Sequence, residues 1–120
     1  MLTYRRNENG NCLQMRNFKD ELELTMYKNT SAMTENNHMA KISLSDADLN
    51  DMIYRGKELK SEETYGYGDS VKETMTISYN KDRDVVEIFA SNKYNDCYQE
   101  TSFTMGGVDF VSTVYGEVMC

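Results

Sequence analysis

Apolar and polar side chains alternate along most of this 120-residue chain, and few folds accommodate that pattern. Successive side chains of a strand point to opposite faces, so a period of two means strands with one face on a core. In "ELELTMYK" (21–28), Leu22, Leu24 and Met26 point one way, and Glu21, Glu23, Thr25 and Tyr27 the other. "CLQMRNF" (12–18), "HMAKISL" (38–44), "ETMTISY" (73–79) and "VVEIFAS" (85–91) repeat the pattern, as do "YQETSFTM" (98–105) and "VDFVSTVYG" (108–116) more loosely. Turn residues separate them: Asn9-Gly10, residues 17–20, "NKDRD" (80–84), "NKYND" (92–96) and Gly106-Gly107, which reads as a two-residue hairpin turn.

One stretch breaks the period. "SLSDADLNDMIYRGKELK" (43–60) carries Leu49, Met52 and Ile53 at i, i+3, i+4, the stripe of an amphipathic helix. Its alternating Asp46, Asp48 and Asn50 imitate the first ligands of a calcium loop. The imitation fails at the two most restrictive positions, where Asp51 replaces the glycine and Lys57 the bidentate glutamate. The same residues make a helix start. Ser45 is the expected N-cap, Asp48 the capping-box acid, Leu44 and Leu49 the staple, and Gly56 either the C-terminal stop or a point of close packing against the sheet.

The expected fold is therefore α+β: a curved antiparallel sheet of about six to eight strands packed on a single central helix. A small β-barrel with one helix is the alternative. No repeat and no linker divides the chain, so residues 1–120 read as one domain. "KSEETYGYGDS" (60–70), with two glycines and no apolar period, reads as a mobile loop.

Chemistry is scarce. His38 is the single histidine, and Cys12, Cys97 and Cys120 form no CxxC pair, so no metal site and no cofactor is expected. No nucleophile elbow or phosphate loop is present, and the chain reads as noncatalytic. "MLTYRRNENG" is no signal peptide and no apolar run spans a membrane, so the expected location is the cytoplasm, with free thiols.

Charge is uneven. Residues 1–30 carry five basic and four acidic side chains; residues 31–120 carry eight and sixteen. An acidic surface repels phosphates and steers a basic protein toward itself. Nucleic acid is accordingly an unlikely partner on charge alone. The first expectation is a protein-binding module, a small acidic inhibitor of the phage or mobile-element, anti-defence type, engaging a basic partner through Glu62, Glu63, Tyr65, Tyr67 and Asp69. The alternative is a single-stranded nucleic-acid binder that uses Arg5, Arg6, Arg16 and Lys19 with the sheet aromatics Tyr98 and Phe103. Edge strands also allow a homodimer.

Overall fold

The computed structural model describes residues 2–7, 9–18, 20–28, 38–68 and 70–119, with the side chains of Phe18 and of residues 115–119 left aside. Among these, strands β1 (Leu2–Arg6), β2 (Cys12–Phe18), β3 (Glu21–Tyr27) and β4 (Ala40–Ser45) lead into helix α1 (Asp46–Arg55). Strands β5 (Leu59–Tyr65), β6 (Val71–Asn80), β7 (Val85–Tyr94) and β8 (Cys97–Gly106) lead into helix α2 (Gly107–Met119). Four strands and a helix thus occur twice, although no sequence repeat announces it.

The strands form two four-stranded antiparallel sheets: sheet A, in the order β1-β2-β3-β4, and sheet B, in the order β5-β6-β7-β8. This corrects the expected single sheet on one helix, and neither sheet closes into the alternative barrel. The physical reason is α1. It begins directly where β4 ends, so the next strand starts a new sheet rather than extending the first. The core lies between the sheets and the helices. Leu13, Leu24, Met26 and Ile42 from sheet A meet Met75, Ile77, Ile88 and Phe103 from sheet B, with Leu49 and Met52 of α1 and Phe110 and Val114 of α2 completing one cluster.

The start of α1 follows the sequence closely. The Ser45 hydroxyl accepts from the Asp48 N–H at 3.2 Å, and the Asp48 carboxylate accepts from the Ser45 N–H at 3.0 Å. Two orphan donors of the first turn are thereby satisfied. Gly56 ends the helix at φ 68°, a left-handed conformation that glycine adopts without Cβ strain. Ser45→Ala is expected to lower unfolding free energy by about 1 kcal/mol, read from a urea midpoint at constant slope.

Residues 108–116 depart from expectation. They belong to a helix, not a strand, and Gly106-Gly107 is no hairpin turn. Phe110 and Val114, at i and i+4, are buried, while Val108 is 71% exposed. That helical stripe outweighs the strand preference of a valine-rich segment. The glycines have a different use. Gly106 is the last residue of β8, and the Gly107 N–H donates to the Asp84 carbonyl at 2.8 Å. A Cβ on Gly107 would stand 2.2 Å from Asp84 Oδ1 and 2.8 Å from Tyr79 Cε1. Those two side chains are themselves joined, the Tyr79 hydroxyl donating to Asp84 Oδ1 at 2.6 Å. Gly107→Ala should therefore break that bond and cost about 1–2 kcal/mol, measured by the same unfolding titration.

The expected loop over 60–70 is also corrected. Its first part is β5, and among the described residues of this stretch only Gly66–Gly68 turn. β5 lacks apolar alternation because it is an edge strand, mostly exposed, with Leu59 its one buried residue.

Candidate functional site

The inward face of sheet B changes character along its length. One cross-strand row is Leu59, Ile77, Ile88 and Phe103; the next is Ser61, Met75, Ala90 and Thr101. The third row is wholly polar: Glu63, Glu73, Asn92 and Gln99. Beyond it stand Tyr65, Val71, Tyr94 and Cys97 at the end of the sheet. Here the two sheets part around a cleft of about 840 Å³, walled on the other side by Lys28, His38 and Met39, with Lys41 at the β4 edge.

Glu73 anchors the cleft. Its side chain is only 2% exposed, yet both carboxylate oxygens are engaged. Oε1 lies 3.0 Å from His38 Nε2, and Oε2 accepts a short hydrogen bond from the Tyr65 hydroxyl. A buried carboxylate is tolerable because it is paired and hydrogen-bonded. Asn92 Nδ2 donates to the Met39 carbonyl at 3.0 Å, so the polar row also ties sheet B to the segment entering β4.

The Tyr65–Glu73 bond sets a measurable property. A hydrogen bond to the carboxylate, then burial, then the negative charges of Glu73 and Glu63 push the Tyr65 hydroxyl from its ordinary 10.0 up to about 12. The folded value exceeds the unfolded one. Stability from this bond is therefore fully present below about pH 10 and is lost as the pH rises through about 12. An ultraviolet tyrosinate titration should contain one ionisation near pH 12 that Tyr65→Phe removes.

The outward face of sheet B is an open surface of serine, threonine and charged residues carrying two exposed aromatics, Phe89 (40%) and Tyr98 (58%). In register across it lie Thr64, Lys72, Lys93 and Tyr98. Directly opposed lysines repel and weaken a sheet. Glu62 offsets part of this, lying 3.1 Å from Lys72 and 3.5 Å from Lys60. Lys72 first, with Lys60 adding, holds the Glu62 carboxyl below its ordinary range. Tyr98 donates to Glu100 at 2.9 Å. On the outward side of sheet A, by contrast, Cys12, Gln14, Thr25 and Tyr27 are buried, and burial pushes the Cys12 thiol and Tyr27 hydroxyl upward.

The residues expected from sequence do not assemble as two surfaces. Glu62 faces outward on β5 beside its lysines, Glu63 and Tyr65 face the cleft, and Tyr67 is 99% exposed on the following turn. Asp69 and Lys19 lie outside the described residues. Of the alternative set, Arg5 is committed to α2, reaching Thr113 at 3.1 Å and Asp109 at 3.6 Å. Arg6 donates to the Gly10 carbonyl at 2.9 Å, and Arg16 is exposed on sheet A. Phe103 is in the core at 4% exposure, so Tyr98 alone of the named aromatics is presented on a sheet face. Among the described residues no cluster of metal-ligating side chains occurs, and no helix is long and apolar enough to cross a membrane.

The residues the sequence reading passed over are Glu73, Asn92 and Gln99. Their signal was phase. Glu73 sits two residues before Met75, at an inward position of the same alternation, as Asn92 does after Ala90. A polar residue at an inward position asks for a partner or a cavity.

No protein-family model matches the sequence, and no curated protein matches it. The fold is nevertheless similar to solved structures. The crystal structure of WHY1 from Arabidopsis thaliana superposes with a TM-score of 0.59 at 10% identity, covering 97% of this chain and 86% of that one. The crystal structures of Trypanosoma bruciei MRP1/MRP2 give a TM-score of 0.56 at 10% identity, covering 92% of this chain and 76% of that one. The expectation that nucleic acid is an unlikely partner is thereby overturned, and nothing in these likenesses supports an inhibitor. The charge argument sums over the chain, and such a sum conceals the local pattern of any one face.

Proposed function

We propose that the protein is a noncatalytic binder of single-stranded nucleic acid, using the outward face of sheet B. The observation that carries this reading is the fold likeness over nearly the whole chain to WHY1 and to MRP1/MRP2. Two local features support the choice of face. Lys72 and Lys93 stand opposite each other at the cost of mutual repulsion, which a phosphate between them relieves. Tyr98, next in the same row, and Phe89 further along β7 offer rings to bases, and stacking tolerates any sequence because every base has a π-face. A sheet face of this kind suits a single strand with unstacked bases better than a duplex, whose base edges lie in grooves.

The test is fluorescence anisotropy of a labelled single-stranded oligonucleotide across a salt series. Three lysines on this face (Lys60, Lys72 and Lys93) correspond to a log–log salt slope of about −2, at about −0.7 per phosphate neutralised on a single strand. Lys72→Ser with Lys93→Ser should make the slope shallower by about 1.4. Phe89→Ala and Tyr98→Ala should each weaken binding by about fivefold or more at unchanged slope. Absence of binding at low salt overturns the proposal.

A further inference from the structure

We infer that the cleft between the sheets is a second site, which takes one unstacked nucleotide. The inference rests in part on the strand-binding reading above, since it names what a bound strand places behind sheet B.

The cleft is more polar than a core needs. A sheet packed on another is stabilised by an apolar inner face, and the row Leu59–Ile77–Ile88–Phe103 obeys that rule throughout. The row Glu63–Glu73–Asn92–Gln99 does not: Glu63, Asn92 and Gln99 line the open volume, and Glu73 is buried. Glu73 is held by His38 and Tyr65, which makes this wall a fixed polar surface rather than a flexible one. Gln99 and Glu63, exposed into the cleft, supply the amide donors and acceptors and the carboxylate acceptor that a base edge pairs with. Tyr94, 56% exposed at the end of the sheet, supplies a ring. The cations come from the opposite wall, where Lys28 and Lys41 can meet a phosphate away from the carboxylates of sheet B.

The position is what links the two sites. Lys93 and Tyr94 are consecutive on β7 and point to opposite faces, and Tyr98 and Cys97 do the same on β8. A strand lying on the row Lys72–Lys93–Tyr98 therefore runs along the end of the sheet behind which the cleft opens. One nucleotide turned over that end enters the cleft, base toward Gln99 and phosphate toward the lysines.

Calorimetry and amide-resolved NMR with deoxyguanosine monophosphate test this directly. Shifts are expected at residues 63, 94, 97 and 99, and Tyr94→Ala combined with Gln99→Ala should weaken binding at least about tenfold. Tyr54→Ala, an exposed aromatic on α1, should leave it unchanged. Shifts confined to Lys72, Lys93 and Tyr98 overturn the cleft site while leaving the strand-binding face standing. Mononucleotide binding in the cleft without any oligonucleotide binding upholds the cleft and overturns the outer-face reading. No shift at any of these residues overturns the cleft site.

Discussion

Phe110→Ala is expected to lower the unfolding free energy by about 3–5 kcal/mol, the range for emptying a fully buried aromatic site. Phe110 is 0% exposed and is the largest fully buried side chain described. It anchors a helix with little intrinsic support. α2 contains Val108, Val111, Thr113 and Val114, all residues of modest helix propensity, so packing rather than local preference holds it in place. The lost methylenes and ring leave a cavity between α2, β7 and β8 that the sheet cannot collapse to fill. Val108→Ala on the exposed side of the same helix should change stability by less than about 0.5 kcal/mol. Chemical denaturation followed by circular dichroism compares the two directly. Equal effects would mean that α2 does not dock through Phe110.

Glu73→Ala should be the costliest change in the cleft. It removes the carboxylate that His38 and Tyr65 share, and a hydrogen bond to a charged group contributes about 1.5–3 kcal/mol. Both retain some access to water, the His38 side chain at 15% and Tyr65 at 45% exposure, which keeps the sum toward the lower end. Glu73→Gln preserves one carbonyl acceptor and should recover about half of the loss. The Tyr65 ionisation near pH 12 should move back toward 10 in Glu73→Ala, because the hydrogen bond that raises it is gone. Unfolding titrations and tyrosinate absorbance read these two consequences independently.

Strand content and the one early helix were legible because their signals are local. Ser45, Asp48, Leu49 and Gly56 occupy their cap, box, staple and stop positions as the sequence dictates. What escaped was decided by tertiary contact. The Gly106-Gly107 pair has the chemistry of a hairpin turn, and only the approach of Asp84 and Tyr79 assigns Gly107 to a close contact at a helix start. β5 has no inward apolar series to reveal it, since its partners are β6 on one side and the cleft on its inner face. The polar row was visible in phase, yet its meaning needed cross-strand register, which no single strand contains. The proposed binding face was obscured most, because net charge is a property of the whole chain and a binding surface is a property of one face.

Among the described residues, every strand in either sheet pairs only with its neighbours in sequence. This meander keeps loop closures short, so the entropic toll of each new ladder falls early and locally. The contacts of greatest sequence separation join the two halves around Phe110, Leu24 and Ile77, and their formation is the expected slow step. The chain should accordingly fold faster than interleaved β-sandwiches of its length. Its refolding rate should respond more to substitutions at the seam between halves than to changes at any hairpin turn.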